Sequence, residues 1–201
     1  RSILHSLELI PFQELDHLPS PDVRFSIGVD FGKAQDYSVV TVILMRPDGQ
    51  QHLVHFHRFK LGTPYASVIG YVKKVSDDLQ SVVAVNCDKT GVGDYIVEDM
   101  QRGGIPNVEG INFTAPSKEA LATLLKQRLI DGVLRIPYNR DLLAELNLVR
   151  FELSKSGGIL FSHPEGSHDD LFWSTALAAW GLRLYRGVRE PQVSLEPSVR
   201  R

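Results

Sequence analysis

The stretch SIGVDFGK, residues 26–33, is typical of a buried β-strand that ends on an acidic residue. Its aliphatic residues suit a protein core, whereas a buried carboxylate such as Asp30 is unfavourable unless it is paired or binds a cation. Gly32 follows two residues later and leaves the chain room to turn. The stretch therefore predicts a strand over residues 25–31 that holds a carboxylate at its end.

Strand and helix patterns alternate along the rest of the chain. Apolar, β-branched runs predict strands, and apolar residues that recur every three or four positions predict helices. Further strands are predicted at 37–45, 51–59, 81–88 and 108–113. Helices are predicted at 64–80, 92–104, 117–132, 139–149 and 168–186, with a hairpin at 150–163. Ser117 is the expected N-cap of the third helix.

Three consecutive strands followed by alternating helices and strands predict an α/β domain built on a mixed sheet, with helices on both faces. The order of the elements matches the RNase H-like fold, in which three strands form a meander and the fourth returns to lie beside the first. We therefore expect a five-stranded sheet in the order 3-2-1-4-5 with strand 2 antiparallel, followed by a β-hairpin and a final helix.

Acidic residues stand at three points that this fold would bring together. Asp30 ends the first strand, Asp88 ends the fourth, and Asp169 and Asp170 open the last helix. If the fourth strand is parallel to the first, the carboxyl ends of both strands meet at one edge of the sheet. Crowded carboxylates repel one another, and a hard divalent cation such as Mg²⁺ or Mn²⁺ neutralises them. The alternative for each acid alone is a structural role, in a turn or at a helix N-terminus.

The composition is that of an ordinary globular domain and excludes several kinds of site. The 201 residues carry a formal net charge of −2, so the chain is not a strongly basic nucleic-acid-binding domain, although a local basic face remains compatible with it. A single cysteine, Cys87, excludes an internal disulfide and a cysteine-based zinc site and favours a reducing compartment. No apolar run reaches the roughly 18–20 residues of a membrane span, so we expect no membrane partner.

Three segments resemble the C-terminal nuclease domain of the large terminase subunit of tailed bacteriophages. They are IGVDFGKAQDYSVVTVI, VNCDKTGVGDYIVEDM and HDDLFWSTALAAW, and the resemblance covers roughly residues 25–186. It implies a metal-dependent endonuclease that cuts concatemeric double-stranded viral DNA during genome packaging. Hydrolysis of the phosphodiester would use two Mg²⁺ or Mn²⁺ ions and leave 5′-phosphate and 3′-hydroxyl ends.

The resemblance also implies roles for individual acids. Asp30, Asp88 and Asp170 would be the catalytic, metal-binding residues, with Asp169 beside them as a further ligand. Asp36, in the segment KAQDYS, matches another acid of the family and is expected near the metals.

Three lysines are candidates for contact with the phosphates of DNA. Lys33 and Lys89 each closely follow a predicted metal ligand, and Lys155 lies at the turn of the predicted hairpin. Each of them could equally be a solvated loop lysine, because loops and hairpin tips commonly carry charge.

The nuclease domain is expected to occupy residues 25–187. Residues 1–24 would be the linker from an N-terminal packaging ATPase domain, whose GxxxxGK[ST] motif this sequence lacks, and residues 188–201 would form a mobile polar tail. The family implies double-stranded DNA, the portal protein, the small terminase subunit and the ATPase domain as partners. It also implies action in the cytoplasm of the infected bacterial host.

Other functions share parts of this pattern. A Holliday-junction-resolvase-like nuclease uses a similar scaffold and would prefer four-way junctions over linear duplex. An actin-like or sugar-kinase-like ATP-binding domain also begins with a strand followed by an Asp-x-Gly turn, but it requires two copies of the fold, for which this chain is too short. A non-catalytic docking module would bind no divalent metal at the acids.

Overall fold

The computed structural model describes residues 22–32, 36–79, 81–153, 159–162 and 168–185. Its strands are β1 (Arg24–Asp30), β2 (Val39–Met45), β3 (Gln51–Arg58), β4 (Val82–Asp88), β5 (Val108–Ile111), β6 (Leu134–Arg135), β7 (Arg150–Leu153) and β8 (Ile159–Ser162). Its helices are α1 (Tyr65–Asp78), α2 (Tyr95–Arg102), α3 (Ala115–Ile130), α4 (Arg140–Leu148) and α5 (Asp170–Gly181).

Strands β1 to β6 form one mixed sheet in the order β5-β4-β1-β2-β3-β6. Strand β2 is antiparallel to β1 and β3, whereas β4 is parallel to β1 and β5. The predicted order of the first five strands, the C-terminal hairpin of β7 and β8 and the final helix are confirmed. The structure adds a sixth strand, β6, which pairs with β3. Its two residues are too few to show a periodic pattern in the sequence.

The two faces of β1 differ in the size of their side chains. Ile27 and Val29 are fully buried in the cluster that contains the apolar residues of α1 and α2. Ser26, Gly28 and Asp30 alternate with them and lie on the opposite face, toward α5. The small residues on that face let α5 lie directly against the strand, and the strand then ends on the carboxylate.

The contact between α5 and β1 depends on two glycines. A Cβ atom at Gly28 would lie 2.0 Å from the carbonyl oxygen of Ser174, and one at Gly181 would lie 2.1 Å from the Oγ atom of Ser26. The first residues of α5 are therefore near the end of β1, and the last residues of α5 are near its beginning. This antiparallel placement brings the start of α5 to the edge of the sheet where β1 ends.

Buried hydrogen bonds hold α5 on the sheet. The Nδ2 atom of Asn86 donates to the carbonyl oxygen of Leu177 at 2.9 Å, and the hydroxyl groups of Thr41 and Ser174 are 2.8 Å apart. These polar contacts come from β4 and β2, the two neighbours of β1. They fix the rotation of the helix, because a shift would leave buried polar groups unpaired.

Helix α3 begins two residues earlier in the structure than the sequence predicts. Helix α3 begins at Ala115, and its N-cap is Thr114 rather than Ser117. The Oγ1 atom of Thr114 accepts from the N–H of Ser117 at 3.3 Å, and the Oγ atom of Ser117 accepts from the N–H of Thr114 at 2.8 Å. This is a capping box, with Pro116 in the first turn, where its missing N–H is not needed.

Several predicted features lie outside the described residues. They are residues 1–21 of the predicted linker, the predicted tail at 188–201, Lys33, and the hairpin turn that contains Lys155. Within the described ranges, none of the helices combines the length and the apolar character that crossing a membrane requires.

We expect Gly28→Ala to destabilise the protein strongly, because the added methyl group would collide with the backbone of α5. Overpacking of this kind costs about 3 kcal/mol of the free energy of unfolding. Gly70→Ala is the matched control: Gly70 lies within α1, nothing lies within 4 Å of its Cβ position, and alanine there should add about 0.5–1 kcal/mol of stability. Chemical denaturation of both variants measures the difference, and equal stabilities would contradict the close approach.

Candidate metal centre

Parallel pairing of β1 and β4 brings the first two predicted acids to one edge of the sheet. Val29 pairs with Cys87, so Asp30 and Asp88 each follow by one residue at the carboxyl ends of adjacent strands. Cys87 is fully buried, as expected from the alternation of side chains along the strand. The register of the sheet, rather than any local motif, therefore places the two carboxylates together.

The start of α5 brings two more acids to the same edge. Asp170 is the first residue of the helix and is buried, and Asp169 is its N-cap residue. The helix begins two residues later than predicted, so both acids lie at its positive N-terminal end. This position favours negative charge and partly offsets the cost of crowding.

Asp36 reaches the site because the chain folds back closely after β1. A Cβ atom at Gly32 would lie 2.3 Å from the carbonyl oxygen of Asp36, and the N–H of Gly32 donates to the Oγ atom of Ser38 at 3.1 Å. Glycine is required here because any side chain would collide with the backbone of the returning chain. The loop thereby places an exposed fifth acid beside the other four.

An open cavity of about 340 Å³ joins these residues. Five aspartates from four separate segments line it together with one lysine, three aromatic residues, a threonine and a glycine. The lining residues are Asp30, Phe31, Gly32, Asp36, Asp88, Thr90, Phe113, Lys118, Asp169, Asp170 and Trp173. The convergence of acids that the sequence predicted is therefore present in the fold, whereas Lys118, Phe113 and Trp173 were not predicted as parts of the site.

Asp30 is the most strongly perturbed of the acids. Burial raises the pKa of its carboxyl group well above the ordinary value, and the negative charges of Asp170, Asp88 and Asp169 raise it further. The ammonium group of Lys118 opposes this shift. A carboxylate in this position is costly to ionise unless a cation compensates its charge.

Asp170 is perturbed in the same direction. Burial and the neighbouring charge of Asp169 raise the pKa of its carboxyl group to about 6, while His168 and Arg58 act in the opposite direction. Its Oδ2 atom is buried and has no hydrogen-bond partner among the described residues. The Nδ1 atom of His168 lies 3.8 Å from that oxygen. Asp170 thus presents an unsatisfied oxygen of the kind that a hard cation would bind.

Asp88 and Asp169 are held by local hydrogen bonds. The Oδ1 atom of Asp88 accepts from the N–H of Thr90 at 2.7 Å, which is the geometry of a turn stabilised by an aspartate side chain. The Oδ2 atom of Asp169 accepts from the indole N–H of Trp173 at 2.7 Å. Both carboxylates are therefore oriented by protein groups before any ligand arrives.

A buried glutamate from α4 fixes the start of α5. The Oε2 atom of Glu145 accepts from the N–H of Leu171 at 2.8 Å, and its Oε1 atom accepts from the guanidinium group of Arg58. The guanidinium group also lies 5.3 Å from the ring centroid of Tyr37. Sequence reasoning missed Glu145, because a single glutamate in a helix carries no signal that it will cap a different helix.

The structure describes one of the three lysines that were predicted to contact DNA. The Nζ atom of Lys89 lies 2.5 Å from the Oδ1 atom of Asp94, at the start of α2, and Lys89 does not line the cavity. Lys33 and Lys155 lie outside the described residues. The basic side chain that does face the acids is Lys118, from the first turn of α3.

The donor set suits a hard divalent cation such as Mg²⁺ or Mn²⁺, because it consists of carboxylate oxygens that repel one another and includes a buried oxygen without a partner. Among the described residues, no group of three or more His, Cys, Asp or Glu side chains is already arranged to hold a metal ion. The acids nevertheless line one cavity.

Comparison with known proteins identifies the fold and the family. Residues 27–180 match the model of the terminase RNaseH-like domain. The chain belongs to this family. Its mixed sheet with helices is therefore that of an RNase H-like domain.

Relatives at about 30% identity come from phages of Thermus. The chain is 31% identical over 164 residues to the large terminase subunit of Thermus virus P23-45, which is 79% of this chain and 32% of that protein. The crystal structure of the large terminase nuclease from thermophilic phage G20c with bound magnesium superposes with a TM-score of 0.70 at 31% identity, over 80% of this chain and 82% of that one. The same nuclease with bound cobalt gives 0.69 at 31% identity over the same shares.

We expect Glu145→Ala to destabilise the protein by about 3 kcal/mol, because it leaves the Arg58 guanidinium and the Leu171 N–H without their buried partner. Glu98→Ala is the matched control, since it breaks a glutamate–arginine pair that is exposed on α2, and it should change stability by no more than about 0.5 kcal/mol. Denaturant unfolding measures both variants. A similar small effect for Glu145→Ala would show that Glu145 does not anchor α5.

Asp170→Asn should raise the stability of the metal-free protein at pH 8. The folded protein binds the Asp170 proton up to a pKa of about 6, against 3.8 for an ordinary aspartate, so folding stability falls as the pH rises through this window. Asparagine removes that loss, which amounts to at most about 3 kcal/mol.

The measurement is urea denaturation in EDTA at pH 4 and at pH 8. Asp170→Asn should increase the free energy of unfolding at pH 8. The increase should be largely absent at pH 4, where the wild-type carboxyl group is protonated. Asp77→Asn, at an exposed position on α1, should show no such difference. A gain that is equal at both pH values would contradict the electrostatic origin of the effect.

Proposed function

We propose that this chain is the nuclease domain of a phage large terminase subunit and that it cuts double-stranded concatemeric DNA during genome packaging. The reaction is endonucleolytic hydrolysis of phosphodiester bonds that depends on two Mg²⁺ or Mn²⁺ ions and leaves 5′-phosphate and 3′-hydroxyl ends. Membership of the terminase RNaseH-like family supports the reaction class, and the metal-bound nuclease of phage G20c supports the need for a divalent cation.

The observation that carries the proposal is the convergence of acids from β1, β4 and α5 in one cavity. Asp30, Asp88 and Asp170 are the proposed metal-binding and catalytic residues, with Asp169 and Asp36 as additional ligands. The ions would supply the positive charge that activates the attacking water and stabilises the leaving 3′-oxygen. A structural role would explain one of these acids, but five in one cavity destabilise the fold unless a cation offsets their repulsion.

The chain's own residues set the conditions for binding. Asp30 lies at the end of a strand that is buried from Phe25 onward and is paired on both sides, which holds its backbone in place. Asp170 and Asp30 both have raised pKa values through burial and neighbouring carboxylates, so cations must displace protons to bind. Metal binding should therefore strengthen as the pH rises from 5 to 8.

Other components of a packaging machine are the proposed partners of this chain. The chain spans about a third of the length of the curated relatives that it matches, 32% in each of the two Thermus phage proteins. We propose that an N-terminal ATPase domain, the portal protein and the small terminase subunit act with it, in the cytoplasm of the infected bacterial host. Double-stranded DNA is the substrate, and no membrane partner is proposed.

Asp30→Asn, Asp88→Asn and Asp170→Asn should each abolish nicking of supercoiled plasmid in Mn²⁺, because each removes a proposed metal ligand while preserving the size of the side chain. Wild-type protein should nick in Mg²⁺ or Mn²⁺ and be inactive in EDTA. Gel electrophoresis of the plasmid forms measures the loss, and DNA ligase should reseal the nicks if the ends are 5′-phosphate and 3′-hydroxyl.

Asp77→Asn serves as the control, since it removes an aspartate that lies on the exposed surface of α1 and does not line the cavity. It should nick at the wild-type rate. Nicking that persists in a triple variant of Asp30, Asp88 and Asp170 would refute the assignment of the site. A marked preference of the wild-type protein for four-way junctions would favour the resolvase-like alternative.

A further inference from the structure

Lys118 faces the acidic cavity from the first turn of α3. The capping box of Thr114 and Ser117 fixes that turn, and Lys118 follows directly, so its backbone position is well defined. Among the described residues, the cavity is lined by five aspartates and by one basic residue, Lys118. Its long aliphatic stem lets the ammonium group reach past the helix into the cavity.

The ammonium group of Lys118 rests on aromatic rings rather than on a carboxylate. Its Nζ atom lies 4.6 Å from the ring centroid of Trp173 and 5.3 Å from that of Phe113. Within the described part of the chain, Lys118 forms no ion pair at 4.0 Å or less. Cation–π contacts of this kind are worth roughly 0.5–2 kcal/mol, depending on how far the pair is removed from water.

The supporting rings are themselves held in place. The indole N–H of Trp173 donates to Asp169 at 2.7 Å, and the backbone N–H of Phe113 donates to the Oγ1 atom of Thr90 at 2.6 Å. Lys118 is therefore positioned by groups that belong to the acidic site on both sides. Its charge is kept near the carboxylates without being neutralised by direct contact with one of them.

A lysine placed in this way is suited to bind an anion that approaches the acids. A DNA phosphate brought to a divalent cation at the site retains negative charge on its non-bridging oxygens, and the compact ammonium group of lysine is a common ligand for such oxygens. The two rings orient the lysine toward the cavity, whereas a lysine that only offsets the acids would be expected to pair with one of them directly.

We propose that Lys118 binds a non-bridging oxygen of a DNA phosphate at the acidic cavity, with Trp173 and Phe113 as the platform that positions its ammonium group. This inference rests on the proposed nuclease function and adds a substrate-binding residue to it. Lys118 is thereby added to Lys33, Lys89 and Lys155, the candidates for phosphate contact that were predicted from the sequence.

The test is the salt dependence of DNA binding. Binding of a fluorescent 30-base-pair duplex is followed by anisotropy in Ca²⁺ at several salt concentrations, with gels to confirm that the duplex stays intact. Lys118→Gln should weaken binding by about threefold to tenfold and reduce the slope of log K against log salt by about 0.9, the value of one lost phosphate contact. Lys118→Arg should retain the wild-type slope.

Lys126→Gln is the matched control, because Lys126 is an exposed lysine on the same helix and does not line the cavity. It should leave the slope unchanged. Mn²⁺ binding, measured by calorimetry, should be unchanged or tighter in Lys118→Gln, since a positive charge near the acids has been removed. Lys118→Met, which keeps the stem on the two rings, replaces Lys118→Gln if the glutamine variant does not fold.

An unchanged salt slope in Lys118→Gln would overturn the proposal, whatever the Mn²⁺ affinity; tighter Mn²⁺ binding beside it would leave Lys118 as a counter-charge to the acids. That result is distinct from failure of the nuclease function itself. In the latter case the wild-type protein would neither bind Mn²⁺ at the acids nor nick plasmid, whatever residue stands at position 118.

Discussion

The close approach of α5 to β1 is the constraint on which the rest of the structure depends. The approach is possible because Gly28 and Gly181 have no side chains at the two points where helix and strand meet. It fixes the direction of the helix, so that Asp170 arrives where Asp30 ends its strand. A larger residue at either glycine would move the helix outward and separate the two carboxylates. The same contact between α5 and β1 therefore packs the core and brings the acids of the site together.

The crowded carboxylates of the site lower the free energy of unfolding, and neighbouring basic residues limit that loss. Burial and mutual repulsion raise the pKa values of Asp30 and Asp170, which means that the folded protein resists ionising them. Arg58 and Lys118 lower the pKa values of Asp170 and Asp30, respectively, and so act against the repulsion. Neither cation occupies the centre of the cavity, since Arg58 pairs with Glu145 and Lys118 rests on aromatic rings. The centre remains negative, which suits the divalent cations proposed to bind there.

The sequence predicted those features that depend on the backbone and missed those that depend on side-chain contacts between elements. Strand order and the meeting of Asp30 with Asp88 follow from the order of elements and from the parallel geometry of adjacent strands. Glu145 and Lys118 lie on helices whose rotation is set by packing, and one charged residue on a helix looks like any other in the sequence. Lys89, although it follows Asp88, points to Asp94 instead, because successive residues of an extended chain alternate in direction.

The two adjacent aspartates at the start of α5 look equivalent in the sequence, but the fold gives them different surroundings. Asp169 accepts the indole N–H of Trp173, and the ring of Trp173 supports Lys118. Asp170, one residue later, turns inward and has an oxygen with no hydrogen-bond partner among the described residues. A carboxylate oxygen without a donor keeps its charge available to a cation, whereas one that accepts an indole N–H is already oriented by it. If the proposed cation binds here, Asp170 would therefore be the stronger ligand of the pair, and Asp169 links the acids to the aromatic rings beside Lys118.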